Sequence, residues 1–323
     1  MKLLMSILVA ASAFVASPAV ADEWQGYTFH PTTGVPEFEF LNRIADEVKE
    51  KTDGALIIKN TPGGTLPIKG NDIAQAVADG ILPFAAATSG TTGLIPVYGL
   101  TRLPMLFSNQ EELQKVVDEV MYDTIAQAMD KQDIKLLGFW WYPAHSIWTK
   151  EPIEKMSDIN GMKLRVTTKQ QAQLIEQYGA IPVQIATAEV APALQQGIVD
   201  GVLTSAAGSR LWIDMLKGNL QIEFNYGTSL IIANKQAFEG LPEDVQAALQ
   251  TAATNGAKWV TETLAEEDKG LRQGYVDNGL VLVQPTAEEL AEAKKRSKVV
   301  WEDNAKQIGK EDVLNQILDV IGQ

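Results

Sequence analysis

The sequence of 323 residues predicts an α/β fold made of two lobes that close like a clamshell, with a long helix bridging both lobes. Amphipathic helical segments alternate with short apolar strand segments along the chain, which is the pattern of α/β proteins. Residues 73–89 and 190–205 also resemble each other, since both read as an apolar helix, a glycine, a buried strand and a Thr-Ser pair. This internal similarity predicts two lobes of related structure, and chains of this length usually form two domains.

The first half of the chain predicts alternating strands and helices. Phe38, Leu41 and Val48 lie on one face of the first predicted helix, and a Thr-Asp-Gly run ends it before an apolar strand. The predicted elements are a strand at 27–29, a helix at 37–51, a strand at 55–59, a short helix at 72–80, a helix at 113–129 and a strand at 135–141.

The second half repeats the order of helix, glycine and strand. Asn160-Gly161 forms a turn, and the apolar Leu164 and Val166 then alternate with Lys163 and Arg165, which predicts a strand with one buried face. Further predicted elements are a helix at 170–178, a strand at 181–185, a helix that starts at Pro242, a strand at 280–283 and a charged helix at 286–307.

Residues 1–21 have the pattern of a secretory signal peptide. Lys2 is followed by an apolar run at 3–15 and by small residues that end in an A-x-A site at Ala21. Cleavage there would leave 302 of the 323 residues, without a cysteine for a lipid anchor. We therefore expect export to the periplasm.

The domain boundaries follow from the repeat and from the order of the elements. We expect a first lobe from residues 22–143 plus about 227–250, and a second lobe from 144–226 plus about 275–323. The chain would cross between the lobes near Tyr142 and again near residues 225–228. The bridging helix would occupy about residues 242–270.

Composition excludes several classes of function. The formal charge of −14 becomes −15 without Lys2, and neither nucleic acid nor an anionic membrane is expected to bind so acidic a chain. The chain has no cysteine and only two histidines, so we expect no metal site. It also lacks the common nucleotide-binding, hydrolase and metalloprotease motifs. We expect a binding protein rather than an enzyme, without a cofactor.

Arg165 is the first candidate for ligand binding. It lies in an apolar strand, and the helix that follows offers amides but no acid before Glu176. The ordinary alternative is a surface arginine paired with a carboxylate. A guanidinium at a strand end is nevertheless suited to bidentate capture of a carboxylate.

The other candidates lie at strand ends and in an aromatic segment. Ligands of open α/β sheets bind beyond the carboxyl ends of strands, so the two Thr-Ser pairs should face each other across a cleft. Residues 139–142 are four consecutive aromatics, and a histidine follows shortly after them. The candidates from these patterns are Thr88, Ser89, Thr204, Ser205, Tyr142, His145, His30 and Trp212. A structural histidine is the alternative for His145, and a core position is the alternative for Trp212.

Several segments resemble the extracytoplasmic solute-binding subunits of tripartite ATP-independent periplasmic (TRAP) transporters, the C4-dicarboxylate-binding type. They are PIEKMSDINGMKLRV at 152–166, GAIPVQIATAEVAPALQQGIVDG at 179–201 and IIANKQAFEGLPEDVQAAL at 231–249, together with EVKEKTDGALIIK, GGTL and RLPMLF upstream. The resemblance runs through nearly the whole chain after residue 21. It implies a periplasmic-binding-protein fold that binds an organic acid and delivers it to a small and a large membrane-embedded permease subunit. We expect the binding protein itself to be a monomer.

The resemblance also implies roles for particular residues. The arginine of the family's G-x-K-x-R motif falls on Arg165, where it would form a salt bridge with the substrate carboxylate. His145 stands where the sialic-acid-type members have a second arginine, and Thr204 stands where an asparagine often contacts ligand. These departures favour a smaller or less polar acid than a sugar acid. Motif positions add Thr168 and Thr187 to the predicted pocket.

The sequence leaves alternatives to this function open. The chain could serve an ATP-driven importer or a ligand sensor, and an enzyme on the same scaffold is a third reading that no catalytic constellation supports. The bound acid could be a 2-oxo acid, an aromatic acid, a C4 dicarboxylate or a sulfonate.

Overall fold

The computed structural model describes residues 21–323, and the predicted signal peptide therefore falls outside the described residues. The strands are β1 (Asp22–Thr28), β2 (Leu56–Thr61), β3 (Phe84–Ala87), β4 (Ile134–Ala144), β5 (Ser146–Thr149), β6 (Lys163–Val166), β7 (Ile181–Gln184), β8 (Gly201–Thr204), β9 (Gly218–Leu220), β10 (Tyr226–Asn234) and β11 (Val281–Val283). The helices are α1 (Pro36–Lys51), α2 (Ile73–Ala78), α3 (Gln110–Val116), α4 (Tyr122–Asp130), α5 (Lys169–Glu176), α6 (Val190–Gln195), α7 (Ala206–Ser209), α8 (Lys235–Glu239), α9 (Glu243–Asp277), α10 (Ala287–Gln307) and α11 (Glu311–Ile321).

The strands form two mixed sheets, one in each lobe. The first sheet has the order β2-β1-β3-β10-β4, in which β10 runs antiparallel to both of its neighbours. The second has the order β11-β9-β5-β8-β6-β7, in which β5 runs antiparallel to β8 and β9. Separate clusters of buried apolar side chains pack against each sheet. The fold is the predicted two-lobe α/β clamshell.

Two chain crossings connect the lobes. The first runs from β4 to β5 through His145, and the second runs from β9 to β10 through residues 221–225. The crossings pair with each other, because the His145 amide donates to the Asn225 carbonyl at 2.7 Å and the Phe224 amide donates to the His145 carbonyl at 2.8 Å. This pairing places His145 between the two sheets.

Helix α9 bridges the lobes. It is 35 residues long and extends seven residues beyond the predicted end near residue 270. Its first part packs on α1 and β4 of the first lobe. Near its other end, Tyr275 packs edge to face on Trp148 of the second sheet, with ring centroids 6.0 Å apart. None of the helices among the described residues has both the length and the hydropathy of a membrane span.

The C-terminal helix differs from the sequence prediction, which placed residues up to 323 in the second lobe. Helix α11 packs on α3, and its Val313, Leu314 and Ile317 join the hydrophobic core of the first lobe. The reason is its continuous apolar face, which the first core buries. Trp301 of α10 also packs in the core of the first lobe, and its Nε1 donates to the Pro104 carbonyl at 2.6 Å.

Candidate functional site

A cavity of about 330 Å³ lies between the two lobes. Its volume falls in the range of small-molecule binding sites. The first lobe contributes Tyr27, Phe29, His30, residues 63–64 and 66–71, Thr88, Ser89, Arg102 and Tyr142. The second lobe contributes Arg165, Thr167, residues 184–189, Thr204, Gly208, Leu211 and Trp212, and the crossings contribute His145 and Gly227. A ligand in this cavity would contact both lobes at once.

Arg165 lines the cavity from β6 of the second sheet, next to the edge strand β7. Its backbone pairs with Val183 of β7 and Val202 of β8, and the side chain is only 4% exposed. Its Nε donates to the Ile185 carbonyl at 3.2 Å and its Nη2 donates to Thr187 Oγ1 at 3.4 Å. No carboxylate within the described chain forms a salt bridge with Arg165. Burial, and secondarily the charge of Arg102, lowers the pKa of the Arg165 guanidinium to about 10.

Arg102 is a second buried arginine in the same cavity. It ends the 3-10 helical segment at 96–102 and is 1% exposed. Its Nη1 donates to the Thr228 carbonyl, and its Nη2 donates across the cleft to Thr167 Oγ1 at 3.3 Å. Its Nε has no hydrogen-bond partner, and within residues 21–323 it has no carboxylate partner either. The cavity therefore holds two guanidinium charges that are solvated only by neutral groups.

The cavity has little negative charge to balance these arginines. Glu189 is the carboxylate among the lining residues, and it lies exposed at the rim, where it accepts from the Ala186 amide at 3.1 Å. Lys69 is also exposed on the lining. Among the described residues there is no cluster of His, Asp or Glu that could hold a metal ion. The site is thus cationic and suited to an anionic organic ligand.

His145 is buried beside both arginines. Its side chain is 5% exposed, and its Nδ1 lies 3.1 Å from Nε2 of Gln171 on α5. Burial, with smaller contributions from the charges of Arg102 and Arg165, lowers the pKa of His145 to about 3. The imidazole is therefore neutral at physiological pH and takes part as a polar group without charge.

Thr88, Ser89, Thr187 and Thr204 lie on the cavity wall, while two further predicted hydroxyls do not. Ser205 begins α7 and accepts from the Gly208 amide at 3.1 Å. Thr168 begins α5 and accepts from the Gln171 amide at 3.1 Å. Ser205 and Thr168 thus serve as helix N-caps, and neither is among the residues that line the cavity.

The remaining predicted residues line the cavity as well. Trp212 lies 5.7 Å from the Arg165 guanidinium, measured to the ring centroid, and gives the cation an aromatic neighbour. Burial lowers the pKa of His30 to about 4, so this histidine is also neutral. Burial also raises the pKa of Tyr142 well above its usual value, so its phenol keeps its proton.

Sequence reasoning missed Arg102 and most of the two rim segments, residues 63–71 and 184–189, of which it predicted Thr187 alone. The signal for Arg102 was present, since it is a lone cation in the apolar run GLTRLPML. The rim segments carry mostly small and apolar residues without chemical motifs. Their role depends on how the lobes pack, which no local pattern encodes.

Two lobes around a cationic cavity, joined by paired crossings and a bridging helix, define a clamshell ligand-binding protein. Residues 29–307 match the model of the family described as bacterial extracellular solute-binding protein, family 7. The chain belongs to this family of extracellular solute-binding proteins.

Relatives and solved structures agree with this assignment. A solute-binding protein of Chromohalobacter salexigens is 25% identical over 88% of this chain and 85% of its own. The C4-dicarboxylate-binding periplasmic protein DctP of Rhodobacter capsulatus is 26% identical over 83% of this chain and 82% of its own. The crystal structure of DctP7, a Bordetella pertussis extracytoplasmic solute receptor binding pyroglutamic acid, is 25% identical and covers 94% of this chain and 100% of its own, with a TM-score of 0.87.

Proposed function

We propose that this protein captures a small organic acid in the periplasm, with Arg165 as the anchor of the ligand carboxylate, and delivers it to a TRAP permease. The observation that carries the proposal is the buried Arg165 guanidinium, which faces the cavity without a carboxylate partner among the described residues. A cation out of water costs free energy unless an anion compensates it. A ligand carboxylate between the lobes would supply that compensation.

The size and lining of the cavity support a compact acid. Apolar and aromatic side chains such as Phe29, Leu66, Ile68 and Trp212 also line the cavity. They would bury the carbon skeleton of the ligand, while Thr88 and Thr204 would meet its polar groups. Relatives bind acids of this size, since DctP7 is described as binding pyroglutamic acid.

A thermal-shift screen against organic acids tests the proposal. A ligand at 100 times its dissociation constant stabilises the folded protein by about 2.7 kcal/mol, which gives a clear shift of the unfolding midpoint. Arg165→Ala should bind the selected acid about 10- to 150-fold more weakly, because a hydrogen bond to a charged group contributes about 1.5–3 kcal/mol. Calorimetry on purified protein measures this change.

A second arginine provides the matched control. Arg43 is exposed on α1 and stacks over Trp259 at 4.3 Å, outside the cavity. Arg43→Ala removes the same charge and should leave affinity unchanged. If Arg165→Ala binds the acid as tightly as Arg43→Ala does, Arg165 is not the anchor.

We propose that a signal peptide at 1–21 directs export, that the protein is monomeric, and that it meets a small and a large permease subunit at the membrane. We also propose that it carries out no chemistry, since the cavity pairs no nucleophile with a base. Incubation of the selected acid with purified protein should return it unchanged, and turnover would indicate an enzyme.

A further inference from the structure

If the protein binds an organic acid as proposed, three side chains near the crossings determine the chemical class of that ligand. Arg102, Arg165 and His145 line the same cavity, and the charges of both arginines act on the His145 ring. Both arginines can only donate hydrogen bonds. The neutral His145 ring can donate or accept at the nitrogen that faces the ligand, depending on which nitrogen carries the proton.

A chain of hydrogen bonds fixes that proton, and it starts at two backbone groups. The Thr167 amide can only donate, and it donates to Gln171 Oε1 at 2.8 Å. This contact assigns the oxygen of the Gln171 side chain, so its nitrogen lies on the other side. At the far end, the Tyr226 carbonyl can only accept, and it accepts from Asn225 Nδ2 at 2.9 Å. This contact leaves Asn225 Oδ1 as an acceptor.

Gln171 uses both hydrogens of its amide nitrogen between these fixed ends. It donates to Asn225 Oδ1 at 2.8 Å, and its second hydrogen points to His145 Nδ1 at 3.1 Å. Nδ1 must therefore accept, and a neutral imidazole that accepts at Nδ1 carries its proton on Nε2. The positive charges of Arg102 and Arg165 oppose a second proton on the ring.

The Nε2 nitrogen is directed toward the cavity. A Cβ atom built on Gly227, which lines the cavity, would lie 2.4 Å from His145 Nε2. Among the hydrogen bonds of the described residues, Nε2 has no protein partner. The absence of a side chain at Gly227 thus leaves an N–H donor facing the ligand.

We infer that Gln171 is a positioning residue that fixes His145 as a hydrogen-bond donor, so that Arg102, Arg165 and His145 present only donors to the ligand. These three side chains can bind a carboxylate with an adjacent oxygen atom, as in 2-oxo and 2-hydroxy acids. These three side chains reject an ammonium group in the same position for two reasons. An N–H of the ligand would face the N–H of His145, and the positive ammonium would be repelled by the charges of Arg102 and Arg165. The ligand class is an oxygen-bearing acid and excludes zwitterionic 2-amino acids.

Nuclear magnetic resonance on ¹⁵N-labelled protein tests the proton position directly. Only His30 and His145 contribute ring signals, and His145→Gln assigns them. At pH 7 the long-range ¹H–¹⁵N pattern of His145 should show protonated Nε2. Gln171→Glu should move the proton to Nδ1 or charge the ring, since a carboxylate only accepts. Protonated Nδ1 in the wild-type protein overturns the inference.

A control substitution on the same helix distinguishes the positioning of His145 from a general disturbance of the structure. Gln173 accepts from Asn304 Nδ2 at 2.7 Å, and glutamate can also accept there. Gln173→Glu should therefore keep the wild-type pattern of His145. If Gln171→Glu fails to fold, Gln171→Met removes the donor without adding charge, and an unchanged His145 pattern in that variant contradicts the role of Gln171.

Ligand discrimination is measured by calorimetry with pairs of equal carbon skeleton: pyruvate and alanine, 4-methyl-2-oxopentanoate and leucine, 2-oxoglutarate and glutamate. In whichever pair binds, the 2-oxo acid should bind at least about 100-fold more tightly than the amino acid. Equal binding of the amino acid overturns the inference and leaves carboxylate capture intact. If neither these acids nor the library binds, the proposed function fails and the ligand class fails with it, whatever the proton position.

Discussion

The burial of two arginine charges in the cavity has a cost in free energy, and this cost explains how the site works. Arg165 and Arg102 are removed from water, yet no carboxylate among the described residues neutralises them. Unpaired buried charge is unfavourable, so without ligand the cleft should open and admit water to both guanidiniums. The free energy that the arginines regain on meeting an anion then favours closure with ligand over closure without it.

The two buried histidines predict how stability depends on pH. Their folded-state pKa values, about 4 for His30 and about 3 for His145, lie below the usual 6.5. Below pH 6.5 the unfolded chain therefore binds protons that the folded chain does not. The contribution to stability is complete above pH 6.5 and declines as pH falls toward 4, by up to about 1.4 kcal/mol per pH unit for each histidine. Urea unfolding at pH 7.5, 6 and 5 measures this decline.

Variants without histidine provide the comparison. His30→Gln/His145→Gln cannot bind these protons in either state, so its free energy of unfolding should change less between pH 7.5 and 5. The quantity to compare is the slope of the free energy of unfolding against pH, because the substitutions themselves alter stability at every pH. Equal slopes in the two proteins would mean that the histidines titrate normally in the folded state.

The two arginines also show what sequence can and cannot predict about a site. Arg165 was identifiable because a turn and an alternating strand surround it, and a family motif matches it. Arg102 is a lone cation in an apolar run, but its segment forms a 3-10 helix whose position depends on contacts with Thr228 and Thr167. These partners lie 126 and 65 residues away in sequence, beyond any local pattern.

Among the elements, α10 begins with a cap whose loss should be measurable. Thr286 Oγ1 accepts from the Glu289 amide at 3.2 Å, and the Glu289 carboxylate accepts from the Thr286 amide at 2.8 Å. Thr286→Ala should lower the free energy of unfolding by about 1 kcal/mol, within the range for N-cap threonines. Urea unfolding measures the loss.

Another helical threonine serves as the reference for this substitution. Thr251 lies exposed within α9, and its hydroxyl donates only to the Ala247 carbonyl one turn earlier. Thr251→Ala should be neutral or slightly stabilising, because alanine has the higher helix propensity. A loss at Thr251 as large as that at Thr286 would show that the cap contributes nothing specific.

The elements divide into those with local signals and those without. Helices α1, α5 and α10 have apolar faces, caps or glycine stops, and the sequence predicted them to within a few residues. Strands β5, β9 and β10 were not predicted as strands, because they are short or buried on both faces and lack a period of two. Helix α11 was not among the predicted elements, and nothing in its sequence identifies the first lobe as its partner.

At the scale of the whole molecule, an ion-pair cluster joins the lobes beside the cavity. Glu37 on α1 is fully buried, and its carboxylate lies 3.6 Å from Arg210 Nη2, which follows α7 in the second lobe. The same Nη2 lies 2.9 Å from Glu267 on the bridging helix. Neither oxygen of Glu37 has a hydrogen-bond partner, so Arg210 is the charge that compensates it.

Arg210→Gln should therefore lower the free energy of unfolding by about 3 kcal/mol at pH 7, the lower end for breaking a buried pair, since Arg210 is partly exposed. Burial already raises the pKa of Glu37, and without Arg210 it should rise further. Protonation of Glu37 removes the uncompensated charge, so the loss should shrink as pH falls from 7 to 5. The double variant Glu37→Gln/Arg210→Gln removes both charges and should recover most of the stability at pH 7. Chemical unfolding of the four proteins in this cycle measures the coupling, and additive losses would show that Glu37 and Arg210 do not stabilise each other across the lobes.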